Sequence, residues 1–379
     1  MFNKKVILIS HHNEVPGLGH KIADYLDSHF SFSVFASHPL SPRSSVKSFI
    51  TANDKKITYK IPLFFQYFLE GISVWFHFRK NWLNRFYFDL AICLDPLSYI
   101  HAHLYKKIGF VKKTVYFNVD YSAKRYNNPL LNFIYVSLNK FAYIQCDYFF
   151  HITNAGVNEI DPNKKYAYKS FLITHTIKLK KKLQIKKIPN SILYAGNISY
   201  GTAFSQLINA LIELKKKNVN FIFDIYGDGD KKIQLEKMVE ESVISKNVHF
   251  KGSVENDVLL EKIMPKYCIS VAPYTLKEDF PQTAPSHVYA GENLSTKIVE
   301  YIGCGLPVIS TRPYAAFDVI VKNRFGFLVK SDRDWYNAIS TLITDKKRLK
   351  AYSKNAFSYA RRFDEEKVFN PIFNKILKS

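Results

Sequence analysis

Apolar positions in this chain fall in short runs, separated by stretches with helical spacing, and the alternation covers nearly the whole length. Lys4–Ser10 (KKVILIS) is a brief apolar run ending in polar residues, the pattern of a parallel strand buried on both faces. A glycine-containing turn follows, and Ile22, Tyr25 and Leu26 then recur at helical spacing. Phe32–Ser37 (FSVFAS), Phe88–Pro96 (FDLAICLDP), Lys113–Asp120 (KTVYFNVD), Cys146–Thr153 (CDYFFHIT) and Ser170–Thr174 (SFLIT) repeat the strand pattern. Strands separated by helical segments imply a doubly wound parallel sheet.

Ile177–Asn190 (IKLKKKLQIKKIPN) breaks the rhythm with a basic run and a proline, which predicts a linker or a solvated charged edge. The alternation then restarts. Strands are expected at Ser191–Ile198, Asn220–Asp230, Asn247–Val254, Cys268–Tyr274, Leu306–Thr311 and Gly326–Lys330. An amphipathic helix is expected over Ala203–Asn218, with Leu207, Leu211 and Leu214 on one side, and a helical tail ends the chain. With 379 residues the chain is too long for one ordinary core. The expected domains are residues 1–187, residues 188–355, and a tail over 356–379 that packs back on the first domain.

Charge sharpens this division. Net charge is +22, and residues 1–187 carry +16 of it. Such a field attracts anionic membranes, nucleic acid or phosphorylated substrates. Four cysteines lack any C-x-x-C spacing, which argues against a zinc site or a disulfide framework and suits a reducing cytoplasm. Val6–Ile9 is too short for the apolar core of a secretory signal. The most apolar window, Ile61–Phe78, is interrupted by Gln66, Glu70 and His77, so it predicts a helix that is buried or lies at a membrane interface, not one that spans.

Candidate chemistry concentrates in Gly291–Ser310 (GENLSTKIVEYIGCGLPVIS), which sets Glu292 and Glu300 eight positions apart with Lys297 between them, directly before a buried strand. A helix beginning near residue 293 offers unpaired N–H groups and a positive dipole to a diphosphate. Asn293 to Thr296 are placed to supply those amides, and Lys297 adds a formal charge that steadies a leaving diphosphate. The alternative is a surface pair of Lys297 and Glu300 three residues apart, with Glu292 an ordinary loop acid.

Three segments in order, LYAGNIS, FDIYGDGDKKIQLE with VHFKGSV, and GENLSTKIVEYIGCGLPVIS, resemble the GT-B glycosyltransferases of the large retaining family 4, also called glycosyl transferases group 1. The resemblance covers roughly residues 190–330; the first half resembles the family only in topology. It implies two Rossmann-like doubly wound domains facing a central cleft. A nucleoside-diphosphate-sugar would bind the second domain and an acceptor the first, with sugar transfer to a hydroxyl and retention at the anomeric carbon. It assigns Glu292 to the sugar ring as a catalytic acid and Glu300 to the ribose hydroxyls. The donor edge would be formed by Gly196, Asn197, Gly227, Asp228, Gly252, Val254, Asn293, Leu294, Ser295 and Lys297. The family generally works without a bound metal, so no cofactor is expected. Asp228-Gly229-Asp230 has the D-x-D form that holds a metal in another glycosyltransferase fold, but here it is expected to be a turn near the nucleotide. One departure stands out. Many relatives place an Arg and a Lys after the first strand of this domain, whereas GNISYGTAFSQ has neither, which leaves Lys297, with Arg312, to face the phosphates.

In the first half, Gly17 and Gly19 lie in PGLGH, where glycines let a backbone approach the donor or acceptor; an ordinary turn is the alternative. Asp120 and Asp95 end strands at the edge where open α/β sheets bind ligands, so each is a candidate to orient or deprotonate the acceptor hydroxyl, or else a cap. His11, His12 and His151 also sit near strand ends. The basic, aromatic-rich first half suggests a glycan or lipid-linked acceptor held at an anionic membrane, at the inner face of the plasma membrane, in bacterial cell-surface polysaccharide or lipopolysaccharide synthesis. Two other readings stay open: a nucleotide-sugar 2-epimerase of the same fold, and a basic nucleic-acid-binding protein. No recognisable nucleic-acid module interrupts the two halves, and nucleic acid is not the expected partner.

Overall fold

The computed structural model describes residues 1–12, 18–39, 47–52, 55–59, 66–83, 87–119, 121–179, 185–199, 203–275 and 293–378. The chain divides into two compact units, Met1–Ile173 and Thr174–Ser379, each α/β.

The first unit is built on one sheet. Its strands are β1 (Phe2–His12), β2 (Phe30–Pro39), β3 (Ser48–Ala52), β4 (Lys55–Tyr59), β5 (Phe88–Cys93), β6 (Val111–Asn118), β7 (Tyr148–His151) and β8 (Ser170–Leu172). They lie in the order β4-β3-β2-β1-β5-β6-β7-β8. Helices α1 (Leu18–His29), α2 (Gln66–Leu83), α3 (Pro96–Lys107), α4 (Pro129–Gln145) and α5 (Asn154–Ile160) connect them. Val6 to Ile9 of β1 are shut off from solvent, as a strand covered on both faces requires. β1 pairs in parallel with β2 and β5, so the strand order reverses between β1 and β5. The antiparallel pairs β2–β3 and β3–β4 were not expected. Each added strand has only five residues, and Lys55 to Thr58 of the edge strand are exposed, so neither makes an apolar run.

In α2, Glu70, Val74 and Phe78 point inward while Ile72 and Phe76 face out. Among the described residues no helix is long and apolar enough to cross a membrane.

The second unit repeats the plan with β9 (Ser191–Ala195), β10 (Ile222–Tyr226), β11 (Val248–Gly252), β12 (Ile269–Ala272), β13 (Val308–Thr311) and β14 (Gly326–Val329), in the order β11-β10-β9-β12-β13-β14. Its helices are α6 (Phe204–Lys216), α7 (Lys232–Glu240), α8 (Asn256–Val258), α9 (Thr296–Gly303), α10 (Val319–Lys322), α11 (Asp332–Thr344), α12 (Lys346–Ala360) and α13 (Glu365–Lys378). After β11 the chain runs from α8 through a π turn at Leu259–Ile263 into a 3-10 turn at Met264–Lys266, where Pro265 cannot continue the α pattern. Two cores flank the sheet. Leu207, Leu211 and Leu214 of α6 pack with Trp335 on one side, while Ile298, Val299 and Ile302 of α9 pack with Leu306 and Phe325 on the other. The basic run starts packed, since the Ile177 amide donates to the Phe363 carbonyl (2.8 Å) and its carbonyl accepts from Glu365 (3.1 Å).

Candidate functional site

In the second unit the strand order reverses between β9 and β12, where open sheets leave a crevice at the carboxyl ends of the strands. Three turns stack there. The Gly196 amide donates to the Tyr226 carbonyl (2.9 Å), the Ile198 amide to the Asp228 carbonyl (2.9 Å), and the Gly227 amide to the Gly252 carbonyl (2.8 Å). The backbones approach so closely that only glycine fits. A Cβ on Gly227 would lie 2.0 Å from the Gly196 oxygen, and one on Gly229 would lie 2.2 Å from the Ile198 oxygen. Both glycines also have positive φ, +130° and +154°, which an L side chain resists. Backbone thus lines this rim, with Asn197 and Asp228 exposed on it. Asp228 accepts from the Gly229 amide and lies 3.7 Å from Lys232, and Val254 is half-buried just past β11. Among the described residues no group of three His, Cys, Asp or Glu could hold a metal ion.

Helix α9 begins at Thr296, three residues later than the sequence suggested, because Ser295 is its N-cap, with Oγ accepting from the Ile298 amide (3.4 Å). Asn293 and Leu294 precede the helix, and Leu294 is buried in the core, so only its backbone can face a ligand. Tyr301 fixes the helix against β9: its hydroxyl accepts from the Ala195 amide (2.8 Å) and donates to the Ala195 carbonyl (3.2 Å). Tyr274, just after β12, shares a 2.5 Å hydrogen bond with Ser295 Oγ, and its carbonyl accepts from Thr311 Oγ1 (2.7 Å). Thr296 Oγ1 is 3.1 Å from His175 Nδ1.

Lys297 is the charged group at the centre. Its Nζ donates to the Tyr194 hydroxyl at 2.9 Å and lies 4.1 Å from the Tyr194 ring centroid and 5.2 Å from that of Tyr274. Gly196 makes room, since a Cβ there would meet Lys297 Cε at 2.6 Å. Among the described residues Lys297 forms no ion pair. Desolvation therefore pushes its pKa down to about 7, with the charge of Glu300 opposing the fall. Burial likewise raises the Tyr274 hydroxyl to about 12. Glu300 is buried on the same helix and does not pair with Lys297. The reading of these two as a surface ion pair is therefore not what the fold builds. Arg312 is held by Asp318 in a two-pronged pair (Nε to Oδ1 2.5 Å, Nη2 to Oδ2 2.9 Å), whereas Lys297 has no carboxylate partner among the described residues. Glu292 lies outside the described residues.

The first unit has its own cluster at the β1/β5 reversal. Asp95 caps α3 and its two oxygens accept from the Ser98 amide (2.9 Å), Ser98 Oγ (2.6 Å), the His11 amide (3.0 Å) and His11 Nδ1 (3.0 Å). The other ring nitrogen, His11 Nε2, is 2.8 Å from Glu70, whose side chain is wholly buried. Burial alone would lower the His11 pKa, but the Asp95 charge and the hydrogen bonds to Asp95 and Glu70 outweigh it and raise it to about 10. Burial would raise the Asp95 pKa; His11 and Ser98 hold it well below the usual carboxylate range instead. His38 Nδ1 is 4.0 Å from Glu70. Gly19 packs beneath this corner, 3.2 Å from Leu94 measured at a built Cβ. His151 is tied locally, Nδ1 to the Thr153 carbonyl at 3.0 Å. Gly17 and Asp120 lie outside the described residues, as does the side chain of His12.

Sequence reasoning missed Tyr194, Tyr274, Tyr301 and Glu70. Tyr194 and Tyr301 lie inside the singled-out segments and Tyr274 ends an expected strand, but their apolar bodies are what a periodicity count assigns to the core. Glu70 joins His11 across 59 positions, and no local pattern signals such a pairing.

The comparisons follow the same division. Residues 176–359 match the family model described as Glycosyl transferases group 1. The chain is 28% identical over 185 residues to the poly(ribitol-phosphate) alpha-N-acetylglucosaminyltransferase of Staphylococcus aureus, which is 46% of this chain and 31% of that protein. It is 28% identical over 155 residues to the phosphatidylinositol N-acetylglucosaminyltransferase gpi3 subunit of Schizosaccharomyces pombe, 41% of this chain and 30% of that one. The matches thus span about a third of the length of these relatives. Across both units the chain is similar to the crystal structure of HepE from Anabaena in complex with UDP, with TM-score 0.65, 14% identity, and 99% and 100% of the two chains covered. The fold is of the GT-B type, two Rossmann-like units in one chain, and residues 176–359 carry the match to glycosyl transferases group 1.

Proposed function

We propose that this chain transfers a sugar from a UDP-sugar to an acceptor hydroxyl, with retention at the anomeric carbon. The observation that carries this is Lys297, a desolvated amine held over two tyrosine rings at a glycine-lined rim, three residues before a buried glutamate. As the C1–O bond breaks, the diphosphate leaves with its electron pair, and Lys297 with the first amides of α9 meets that charge. Glu300 accepts from the ribose hydroxyls, and Glu292 faces the sugar ring. Asp120 remains the candidate to orient the acceptor, because Asp95 has both oxygens occupied by His11 and Ser98. UDP in the HepE crystal and the N-acetylglucosaminyl transfer named for two relatives support a UDP-hexose or UDP-N-acetylhexosamine donor. The charge counter to the diphosphate comes from protein groups, and no metal is required. The acceptor is a cell-surface glycan or lipid-linked glycan, met at the inner face of the plasma membrane, in keeping with the positive field of the first unit.

The test is direct. UDP should raise the melting temperature, and UDP release from UDP-N-acetylglucosamine or UDP-glucose should need an acceptor and persist in EDTA. Absence of a shift with UDP would sink the reading. Isomerised sugar from donor alone would replace it with an epimerase.

A further inference from the structure

Helix α4 has its polarity inverted. Asn128 caps it, accepting from the Leu130 and Leu131 amides at 3.0 and 3.1 Å, and Pro129 opens its first turn. Its buried side holds Asn139 and Tyr143, which are hydrogen-bonded inward: Tyr116 donates to Asn139 (2.5 Å) and Tyr143 to Asp161 (2.9 Å). Its outward side carries Leu130, Leu131, Phe133, Ile134, Phe141 and Ile144, with Leu130 and Phe133 exposed by 66% and 67%. At 100° per residue Leu130, Ile134 and Phe141 form one line, broken by the exposed Ser137, and the other three flank it, so the outward face is mostly apolar. Phe141 touches His103 of α3 (ring centroids 5.2 Å), beside the exposed Leu104, which carries the face onto the next helix. Scattered exposed apolar residues need no explanation; a contiguous face of this size marks an interaction surface.

Charge decides what it meets. From Pro96 to Cys146 the sequence has seven Lys or Arg and a single acid, Asp120. Lys124, Arg125 and Lys140 are exposed around the apolar face. The first two are held beside the start of α4, because Asn132 Nδ2 donates to the Ala123 carbonyl (2.5 Å) and Asn132 Oδ1 accepts from the Tyr126 amide (3.2 Å). The whole first unit, residues 1–173, has 21 basic and 11 acidic side chains. A second copy of the chain docked face to face would bring these cations together with a single acid from this segment to meet them. An anionic lipid surface accepts the apolar side chains between its acyl chains and the cations at its headgroups.

We infer that α4, not the more apolar window 61–78, seats this chain on an anionic bilayer. This rests on the membrane part of the proposed function and names the surface that performs it. Its failure is separable from failure of the donor site, because α4 belongs to the first unit and Lys297 to the second.

The test uses the full chain and sedimentation with two vesicle types, phosphatidylcholine alone and with about 30 mol% phosphatidylglycerol. The wild type should bind the anionic vesicles, and more weakly as salt rises. Leu130→Gln with Phe133→Gln should weaken that binding about tenfold or more, since each removes a large side chain from the acyl region. Lys124→Glu with Arg125→Glu should abolish the preference for anionic vesicles. Both double variants should keep the wild-type melting temperature and UDP-induced shift. Anionic-vesicle binding unchanged in the Leu130/Phe133 variant, or no vesicle binding by the wild type, overturns the inference. So does a wild-type dimer that the same variant converts to monomer, which would assign the face to a second copy. A lost UDP shift in the wild type would sink the donor reading instead, whatever the vesicles do.

Discussion

Donor binding should take up a proton at Lys297. In the unliganded chain the amine is desolvated against Tyr194, Tyr274 and Gly196, and its pKa is about 7. A diphosphate within hydrogen-bond reach favours the charged form and raises that value. At pH 8.5 only about 3% of free chains carry the ammonium, so UDP binding draws in about one proton per site. Affinity should then fall about tenfold, ~1.4 kcal/mol, for each pH unit above 7 until the bound-state pKa is passed. The terminal phosphate of UDP titrates near ~6 and does not contribute in this range. Isothermal titration calorimetry at pH 8.5 in two buffers of different ionisation enthalpy measures the uptake, and Lys297→Met should abolish it. Equal binding enthalpies in the two buffers, or full uptake in the Lys297→Met variant, would refute the placement of this amine against the phosphates.

Three further outcomes are expected. Glu300→Gln should lower kcat/KM about 10- to 150-fold with UDP-sugar, the worth of one charge-assisted hydrogen bond, while the melting temperature holds; unchanged kcat/KM would remove the ribose role. Gly227→Ala should destabilise the second unit by about 2–5 kcal/mol, since its Cβ would sit 2.0 Å from the Gly196 oxygen at φ +130°, and urea unfolding that shows less than about 1 kcal/mol would mean the turns relax. His11→Leu should cost about 3–5 kcal/mol at pH 7 by removing the buried cation that Glu70 and Asp95 share. Because the folded His11 pKa is raised to about 10, its contribution is complete below about 6.5 and fades as pH climbs through 10. Urea midpoints measured from pH 6 to 10 should show the wild type and variant converging.

Much of this architecture was legible from spacing alone. Runs such as Val6–Ile9 and the leucines of α6 report their burial through local period, and they fell where strands and a helix were expected. The antiparallel edge was not legible, because β3 and β4 are short and the outermost strand faces water. At the candidate site, Lys297, Glu300 and the glycine turns were visible because a helix start beside a strand end is a local pattern. The tyrosines that desolvate the lysine lie 103 and 23 positions from it, and their role emerges only when β9, β12 and α9 converge. Asp95 shows the opposite limit: a strand-end acid has one signature in sequence, whether it faces a ligand or caps the next helix.

The outward face of α4 also sets how the purified protein behaves in bulk solution. With a net charge of +22, copies repel one another at low ionic strength, and that repulsion keeps their sticky helices apart. In ~1 M salt the screening length shrinks to about 3 Å, the repulsion is lost, and clustering should set in. Vesicle adsorption weakens over the same titration. One helix therefore yields two opposite salt responses, and dilute buffer or mild detergent is the sensible medium in which to keep the protein dispersed.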